Sequence, residues 1–490
     1  MIYIHANTDE FEYDIRSMVK AFYPEYEQYV YCDESKVQPQ KKPEEGPEMV
    51  LEILLLDDGM MAFCRGEEGK AQHVFTEGKE RTKRKNALKK ALYRLLAERT
   101  GHELPWGTLT GIRPTKLFVK ALEEGKAEEE ILQDMQKDYL LTGQKSELGL
   151  SIAKKERKLF SDLPMENGAS LYIHIPFCPT TCLYCSFTSY PAAMWKDRMG
   201  DYIKALKKEL LVVRDGMGSR ELTTIYVGGG TPTTLTAEQL SELLGFVKDN
   251  FPMENLREFT VEAGRPDSIT MPKLMALKEN GVNRISINPQ TMNEDTLQIL
   301  GRQHSVEQTK EAFTLARQAG FENINMDIIL GLPNEGQDKV KHTLSEIKGL
   351  GPDNLTVHCL ALKHNSRLNL EKNRYTHLTY EDVTGPLKLA ADFATDMGME
   401  PYYLYRQKQI AGNQENVGYA LPGKEGLYNM LIMEEKQSIF SVGAGAITKL
   451  VKQPGELFKR VENVKDVTTY LDRIDDMLLR KKEAFDALNQ

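Results

Sequence analysis

Residues Tyr172–Cys185 read YIHIPFCPTTCLYC and bring three cysteines, Cys178, Cys182 and Cys185, into one short run. The spacing C-x3-C-x2-C allows three thiolates on a tight loop to hold three irons of a four-iron cluster, because such clusters are bound by cysteine sulfur. The fourth iron then keeps an open position, which a metal centre needs in order to act on a bound molecule. A structural zinc site would require a fourth Cys or His, and a disulfide would leave one thiol over. The run therefore favours an iron–sulfur cluster.

Around this run the sequence becomes regular, and short β-branched or aromatic runs alternate with amphipathic stretches. Six repeats of this alternation indicate parallel strands joined by right-handed crossovers. Six units rather than eight predict an α/β fold with a partial (β/α)6 TIM-type barrel over residues 166–365, whose active site lies at the carboxyl ends of the strands. The strand candidates are Leu171–Phe177, Thr224–Gly228, Glu258–Ala263, Arg284–Asn288, Asn323–Leu330 and Asn354–Leu362. The helix candidates are Asp201–Val213, Ala237–Asp249, Pro272–Glu279, Val306–Ala319 and Gln337–Lys348.

The first part of the chain, residues 1–165, reads as a separate α+β domain. Met49–Leu56 and Met60–Cys64 are apolar runs separated by a turn signal, which predicts a hairpin. Asp33–Glu48 is rich in Lys, Pro and Glu and predicts an exposed loop. Lys79–Leu96 predicts a basic helix, whose cations could meet an acidic substrate or partner, or simply form a solvated face.

The last part of the chain, residues 366–490, loses the strand–helix alternation. Glu381–Met397 predicts a helix, Gln409–Gly426 a loop and Val467–Leu488 a charged terminal helix. We therefore expect a mainly helical cap that covers the substrate at the mouth of the barrel.

Length and composition limit the class of protein. A chain of 490 residues suits two or three domains, and a hydrophobic fraction of 41% is ordinary for a soluble protein. No apolar stretch approaches the roughly 20 residues of a membrane span, and Met1–His5 does not begin a secretion signal. Six cysteines, three of them clustered, suit a reducing compartment, and a net charge of -9 argues against nucleic acid as the main partner. The expected location is the cytoplasm.

Glycines and a carboxylate follow the second and third strand candidates. Consecutive glycines in Gly228–Pro232 would let backbone groups approach a ligand closely, or would simply form a strand-to-helix turn. Glu262 ends the third strand candidate and could accept a hydrogen bond from an ammonium or a ribose hydroxyl. An ion pair with Arg265 is the equally favoured alternative.

Further polar residues follow the fourth and fifth strand candidates. Gln290 ends the fourth, and Arg302 lies shortly after it. Asp327 lies within an otherwise apolar fifth strand, where a carboxylate is costly unless it is paired or serves a ligand. The alternative to a ligand is a salt bridge from Asp327 to Arg302 or Arg284.

The order of these pieces resembles the oxygen-independent coproporphyrinogen III dehydrogenase (oxidase) family of radical S-adenosylmethionine (SAM) enzymes, and the added N-terminal domain looks like its HemZ branch. The motifs that carry the resemblance are Tyr172–Cys178, Gly228–Thr233, Val261–Pro266, Pro289–Thr291, Leu300–His304 and Met326–Pro333. Those that look like the HemZ branch are Tyr402–Gln407, Glu415–Tyr419 and Gly443–Ala446.

The resemblance implies one [4Fe-4S] cluster bound by Cys178, Cys182 and Cys185, and one or two SAM molecules. It also implies that Tyr172 lies beside the SAM in the catalytic site. The residues that it would place at the cofactor are Tyr172, Phe187, Gly229, Gly230, Thr231, Glu262, Gln290, Arg302, Asp327, Ala446 and Ile447.

The activity implied by the resemblance is oxidative decarboxylation of coproporphyrinogen III in haem biosynthesis. A 5′-deoxyadenosyl radical takes a β-hydrogen from a propionate, and loss of CO2 and of an electron leaves a vinyl group. Two such events give protoporphyrinogen IX. The resemblance further implies a tetrapyrrole substrate, an electron donor such as flavodoxin or ferredoxin, and a monomer.

Two departures from the family pattern keep alternatives open. Phe187 stands where the best-known branch has a fourth cysteine, and no clear equivalent of the Phe-Gln pair that helps hold a second SAM is found, although Ile447 follows Gly-x-x-Ala as it does in that branch. A related branch, a haem chaperone, also lacks that cysteine, and a radical SAM enzyme acting on another tetrapyrrole is a third possibility. The candidate haem ligands are His358, Cys359 and His364, and the candidate propionate partners are Arg113, Lys116, Arg406 and Lys408.

Overall fold

The computed structural model describes residues 1–33, 49–56, 58–65, 71–76, 80–361, 363, 365–407 and 410–489. The chain forms two compact units, one of Met1–Lys154 with Arg406–Gln414 and one of Lys155–Tyr405 with Glu415–Gln490. Most of the predicted loop Asp33–Glu48, and also Lys79 at the start of the predicted helix Lys79–Leu96, lie outside the described residues. Within the described ranges, no helix combines the length and apolarity needed to cross a bilayer.

The first unit contains a five-stranded sheet. Its strands are β1 (Ile2–Ala6), β2 (Gln28–Cys32), β3 (Met49–Leu55), β4 (Gly59–Cys64) and β5 (Gln72–Phe75), and its helices are α1 (Glu12–Phe22), α2 (Arg81–Thr100), α3 (Thr115–Glu123) and α4 (Glu128–Tyr139). The order is β2-β1-β3-β4-β5, with β1 parallel to both neighbours and the rest antiparallel. Alternating side chains of β1 are buried, because one face of the sheet packs on α1 and α2. The predicted hairpin is confirmed as β3–β4.

Among the described residues, the second unit contains one large sheet of eleven strands and a separate two-stranded sheet of Phe177–Cys178 with Tyr190–Pro191. Its strands are β6 (Gly168–Ile175), β7 (Phe177–Cys178), β8 (Tyr190–Pro191), β9 (Glu221–Gly229), β10 (Glu258–Glu262), β11 (Arg284–Ser286), β12 (Ile324–Leu330), β13 (Asn354–Cys359), β14 (Glu400–Tyr405), β15 (Asn416–Ala420), β16 (Ser438–Val442), β17 (Ile447–Gln453) and β18 (Glu456–Glu462). The six predicted strands form the parallel series β6-β9-β10-β11-β12-β13, in chain order across the sheet. The partial barrel expected from the alternation is confirmed.

Helices connect the parallel strands, as the alternation predicts. Helix α5 (Gly143–Phe160) leads into β6, and the later helices are α6 (Ala192–Trp195), α7 (Met199–Met217), α8 (Ala237–Asn250), α9 (Met271–Glu279), α10 (Glu294–Ile299), α11 (Val306–Gln318), α12 (Gln337–Leu350), α13 (Arg367–Leu370), α14 (Thr384–Asp396), α15 (Leu427–Glu434), α16 (Val467–Asp472) and α17 (Ile474–Asn489). Thr236 and Ser305 begin α8 and α11 with capping boxes, in which a side-chain oxygen accepts an otherwise unpaired backbone N–H.

The C-terminal region differs from the expected helical cap, because it also supplies five strands to the large sheet. Strand β16 pairs in parallel with β6 and adds a seventh strand to the parallel series. Strands β14 and β15 extend the sheet beyond β13, and β17 and β18 extend it beyond β16. The predicted loop Gln409–Gly426 contains β15, and the predicted terminal helix is two helices, α16 and α17. Short strands whose partners are distant in sequence carry little local signal, so pattern analysis missed them.

Candidate active site

The three-cysteine loop leaves the carboxyl end of β6, which is the end where barrel enzymes place their chemistry. Its path is fixed by backbone hydrogen bonds to the neighbouring loops. Leu183 N–H donates to Leu300 C=O at 2.9 Å, and Tyr190 N–H donates to Pro176 C=O at 2.8 Å. The loop is therefore held in shape by main-chain contacts that do not involve the thiols.

The three thiols differ in their surroundings. The thiol of Cys178 accepts a hydrogen bond from the Thr231 hydroxyl, with the oxygen 3.6 Å from sulfur. The thiol of Cys182 accepts from Arg302 Nη1 at 3.7 Å and from Arg265 Nη1 at 4.0 Å. Burial raises the pKa of Cys185 to about 11. Cationic donors favour the thiolate form, which is the form that binds iron.

The donor set fits an iron–sulfur cluster. Three thiols of one loop, with cationic donors at Cys182, supply the sulfur ligands that such a cluster takes. A cluster places each thiolate on a different iron, so its thiolates need to surround a body of several atoms rather than meet at one point. Cys178, Cys182 and Cys185 would hold such a cluster and leave its fourth iron open.

The glycine run after β9 is required by close packing against the cysteine loop. Gly229 has φ +115°, and a Cβ added there would lie 2.8 Å from the His174 ring. A Cβ on Gly230 would lie 2.6 Å from the Phe177 carbonyl oxygen. The N–H groups of Gly230 and Thr231 donate to Ile175 and Phe177 C=O at 2.8 and 2.7 Å. These contacts hold the start of the cysteine loop in place. The predicted contact of the glycine run with SAM stays a prediction.

Glu262, at the end of β10, is partly buried and faces an aromatic stack. Its Oε1 accepts a hydrogen bond of 2.6 Å from the Tyr226 hydroxyl. The rings of Tyr226 and Tyr428 stack with centroids 4.5 Å apart, and Tyr172 lies 6.1 Å from Tyr428. Burial raises the pKa of Glu262 to about 7, and the nearby Asp327 adds to this effect. The alternative ion pair with Arg265 is not formed, since that guanidinium binds Asp267 instead.

Gln290 combines an unusual backbone with an unpartnered side chain. Its φ of +68° lies in the left-handed region, although it is not a glycine. The main chain is locked there because Gln290 N–H donates to Asp327 C=O at 3.0 Å and Gln290 C=O accepts from Ile329 N–H at 3.0 Å. The side-chain Oε1 is buried without a hydrogen-bond partner among the described residues. A buried acceptor in this state has free capacity for a ligand donor.

Asp327 lies on β12 and binds neither of the arginines considered from the sequence. Its Oδ1 accepts from Asn325 Nδ2 at 2.7 Å, and its Oδ2 lies 3.6 Å from His358 Nε2. Burial alone raises the pKa of Asp327, but hydrogen bonds from His358, Asn325 and Thr356 outweigh burial and leave the pKa below its ordinary value. Asp327 is therefore an ionised carboxylate close to the partly protonated Glu262.

Arg302 is buried, and polar groups of the protein surround its guanidinium. Besides Cys182, it donates to the Tyr184 hydroxyl at 3.1 Å and to the carbonyl oxygens of Gly264 and Asn288 at 3.1 and 2.6 Å. Its Nε has no partner among the described residues. These contacts place Arg302 at the cysteine loop, and its predicted contact with SAM stays a prediction.

Tyr172 lies on β6 at the centre of the site. Its hydroxyl lies 3.0 Å from His174 Nδ1 in a hydrogen bond, and burial raises the pKa of the tyrosine. Burial also lowers the pKa of His174 to about 4. The pair is therefore neutral, which suits a site that excludes water.

The remaining predicted cofactor residues are Phe187, Ala446 and Ile447. Phe187 is 72% exposed at the end of the cysteine loop. Ala446 is buried in the turn after β16, whereas Ile447 is 41% exposed. The predicted contacts of these three residues with a cofactor stay predictions.

Sequence analysis missed three residues that complete the site. Tyr226 lies on β9 two positions before Gly228, so strand alternation could have placed it on the same face. Tyr428 comes from α15, far along the chain, and carries no local signal. Asp267 follows the motif Val261–Pro266 and was not considered as the partner of Arg265.

Three of the described haem-ligand and propionate candidates, His358, Cys359 and Arg406, already have partners within the protein. His358 contacts Asp327, and its Nδ1 lies 3.2 Å from the Tyr405 hydroxyl. The Cys359 thiol donates to Glu415 C=O at 3.3 Å. In the first unit, the buried Arg406 guanidinium donates to backbone carbonyls, so the interpretation of it as a propionate partner is wrong. His364 and Lys408 lie outside the described residues.

The partial parallel barrel with a three-cysteine loop after its first strand is a radical SAM fold, and residues 172–347 match the sequence profile of the Radical SAM superfamily. The chain is similar to the coproporphyrinogen III oxidase HemN of Escherichia coli, described as a radical SAM enzyme, with a TM-score of 0.51 and 23% identity. That match covers 64% of this chain and 70% of that one and supports the fold.

Two curated relatives narrow the family. The oxygen-independent coproporphyrinogen-III oxidase-like protein HemZ of Bacillus subtilis is 42% identical over 395 residues, which cover 80% of this chain and 79% of HemZ. The heme chaperone HemW of the same organism is 33% identical over 279 residues, which cover 56% of this chain and 70% of HemW. The chain belongs to the HemZ-like family of radical SAM proteins. Membership of this superfamily implies a [4Fe-4S] cluster and SAM.

Proposed function

We propose that the protein is a radical SAM enzyme that oxidatively decarboxylates propionate side chains of coproporphyrinogen III to vinyl groups, in haem biosynthesis. The observation that carries the proposal is the extent of the likeness to HemZ, which covers 80% of the chain, against 56% for HemW. The site geometry agrees with it, because the cysteine loop, two carboxylates and an unpartnered amide oxygen are gathered at one end of the barrel.

The carboxylates suit the charge of SAM, which carries an ammonium and a sulfonium cation. Asp327 is ionised, and a cation near Glu262 would favour its ionised form as well. Gln290 Oε1 would accept a hydrogen bond from the ribose or the ammonium group. When bound, the cluster and SAM supply a 5′-deoxyadenosyl radical, which abstracts hydrogen.

The remaining side chains have physical tasks that the reaction requires. Tyr172, Tyr226 and Tyr428 form an aromatic wall that would keep water from a reactive carbon centre. The hydrogen bond to Tyr226 fixes Glu262, and the locked main chain fixes Gln290, so a bound SAM would be oriented without reorganisation of the site.

The test is product analysis under anaerobic conditions. The reconstituted protein is incubated with SAM, dithionite and coproporphyrinogen III, and mass spectrometry follows 5′-deoxyadenosine and the porphyrin products. We expect loss of two CO2 per porphyrinogen, coupled to 5′-deoxyadenosine. Cys182→Ala removes one cluster ligand and should abolish both signals.

Two outcomes would overturn the proposal. Cleavage of SAM with an unchanged porphyrinogen would exclude this substrate and favour another tetrapyrrole. Tight, stoichiometric binding of haem without turnover would favour a haem chaperone. In that case a haem ligand other than His358 and Cys359 is expected, since the barrel already engages both side chains.

A further inference from the structure

We propose that Arg265 and Asp267 form a charged clamp on the cysteine loop, in which Arg265 positions the loop and raises the reduction potential of the cluster through Cys182. The clamp is defined by these two residues, which follow β10. Arg265 would not touch substrate or SAM in this role and is therefore a positioning residue.

The Arg265 guanidinium binds both Asp267 and the cysteine loop. Its Nε and Nη2 donate to the two carboxylate oxygens of Asp267 at 3.0 and 2.8 Å, in a bidentate pair. Its Nη1 donates to the carbonyl and hydroxyl oxygens of Thr180 at 3.2 and 3.1 Å, and to Cys182 Sγ at 4.0 Å. Thr180 lies inside the cysteine loop. One edge of the guanidinium therefore binds Asp267, and Nη1 on the other side binds the loop.

Both residues of the clamp are largely shielded from solvent. Arg265 is 3% exposed, and the side chain of Asp267 is 18% exposed. A buried guanidinium is costly unless its donors are satisfied, and here Asp267 and Thr180 satisfy them. The same burial means that solvent screens the charge of Arg265 only weakly at the distance of Cys182.

The three cysteines differ in the charge of the groups that donate to their sulfur atoms. Cys178 accepts a hydrogen bond from the neutral hydroxyl of Thr231. Cys185 has the backbone N–H of Phe187 as its donor. Cys182 faces two guanidinium groups, and that of Arg265 is the one balanced by its own carboxylate. The positive charge of the site is therefore concentrated at the middle cysteine.

The consequence for a bound cluster follows from electrostatics. Reduction adds one negative charge to the cluster, and both a nearby cation and N–H donors to a ligating sulfur stabilise the reduced form. Arg265 should therefore raise the midpoint potential, whereas Asp267 should lower it by neutralising Arg265. Replacement of the two members of this ion pair should therefore shift the midpoint potential in opposite directions. A loss of structure would not produce opposite shifts.

The inference rests on the cluster in the proposed function, but not on the choice of coproporphyrinogen III as substrate. The experiment therefore contains neither SAM nor porphyrinogen. A protein that binds a cluster but fails to decarboxylate would still allow a complete test of the clamp.

The experiment is EPR-monitored potentiometry of the reconstituted cluster in the wild type, Arg265→Gln, Arg265→Lys and Asp267→Asn. We expect a more negative midpoint potential for Arg265→Gln and a less negative one for Asp267→Asn. Arg265→Lys keeps the charge without the bidentate geometry and should lie between Arg265→Gln and the wild type. Iron and sulfide content normalises each sample to its intact cluster.

The matched control is Arg220→Gln. Arg220 donates to Met217 C=O and to Asn489, with no described contact to a cysteine, so the midpoint potential should not change. An unchanged potential in Arg265→Gln, or shifts of the same sign in Arg265→Gln and Asp267→Asn, would overturn the proposal. If Arg265→Gln assembles no cluster, the sign of the shift in Asp267→Asn decides.

Discussion

Two carboxylates of the second unit, the buried Glu209 and the partly buried Glu262, have opposite surroundings. Glu209 lies on α7 and is fully partnered: its oxygens pair with Lys481 Nζ at 2.7 Å and accept from the Tyr470 hydroxyl at 2.6 Å, Gly443 N–H at 2.8 Å and Asn463 Nδ2 at 2.7 Å. Lys481 is itself completely buried. This cluster joins the C-terminal helices to the turn after β16 and leaves Glu209 no capacity for a ligand.

Glu262 lies at the opposite extreme. The Tyr226 hydroxyl is a neutral donor to it, and its pKa is raised to about 7 because burial disfavours its charge. Gln290, whose N–H donates to Asp327 C=O, has a side-chain Oε1 without a hydrogen-bond partner among the described residues. Folded proteins rarely leave buried polar groups unpaired. The unit's own side chains therefore satisfy the carboxylate of Glu209, whereas Gln290 Oε1, beside Asp327, keeps acceptor capacity that we propose a ligand uses.

The largest expected effect concerns the fully partnered carboxylate of Glu209. Lys481→Met leaves the Glu209 carboxylate buried without its cation, and breaking such a pair costs about 3–5 kcal/mol of unfolding free energy. Chemical denaturation measures the loss. The double variant Lys481→Met/Glu209→Gln removes both charges and should recover most of it, and a loss under about 1 kcal/mol in the single variant would contradict the comparison.

The second prediction concerns the pH dependence of stability at Glu262. Its pKa is about 7 in the folded state against 4.5 for the free side chain, so the folded state holds the proton more tightly. Below pH 4.5 the raised pKa of Glu262 contributes its full stabilisation, about 3 kcal/mol of unfolding free energy. This contribution is lost as the pH rises through 7.

Glu262→Gln lacks this term. Denaturation of both proteins at pH 5 and pH 8 should therefore show the variant gaining stability relative to the wild type at the higher pH. Its SAM affinity should fall by about tenfold, since one charge-assisted contact is removed. A stability difference that is independent of pH would show that Glu262 is ionised without a ligand.

The third prediction concerns the glycine that holds the cysteine loop. A Cβ at position 230 would lie 2.6 Å from the Phe177 carbonyl oxygen, so Gly230→Ala should push the loop away and cost about 2 kcal/mol. Iron content after reconstitution should fall as well.

The matched control is Gly245→Ala in α8, where the nearest atom to an added Cβ is 3.5 Å away. Alanine is the better helix former, so this variant should gain up to about 1 kcal/mol and keep its iron. Equal behaviour of the two variants would contradict a special role for Gly230.

The smallest expected effect is at Gln290. Gln290→Gly relieves a left-handed backbone at φ +68° and removes an unpartnered acceptor, so the unfolding free energy should rise by about 1 kcal/mol while SAM affinity falls. Asn334→Gly is the control, because Asn334 also has a positive φ but its side chain accepts hydrogen bonds from Thr379. That control should lose stability, and a loss in Gln290→Gly would show that its side chain serves the fold.

The barrel could be predicted from the sequence because its signals are local. The strand candidate Glu258–Ala263 corresponds to β10 and the helix candidate Ala237–Asp249 to α8, each with bounds within one residue. Periodicity within a helix or a strand is visible over a single short window of sequence. The cysteine loop was likewise visible, because all three thiols come from one run.

The features that could not be predicted depend on distant pairings. Strand β16 pairs with β6 across more than half of the chain, and Tyr428 meets Tyr226, which is also distant in sequence. Nothing around Arg406 indicates that its segment is grouped with the first unit. The choice of Asp267 over Glu262 as the partner of Arg265 depends on side-chain direction within a turn, which spacing alone does not reveal.

We propose that the cysteine loop would hold a cluster and that Glu262, Gln290 and Asp327 would form the SAM site beside it. The most direct measurement is EPR spectroscopy of the reduced, reconstituted protein before and after addition of SAM. We expect a [4Fe-4S]+ signal that changes in shape on addition of SAM, with a much higher SAM concentration required in Glu262→Gln. A cluster signal that SAM leaves unchanged, or a protein that takes up no cluster, would contradict the account.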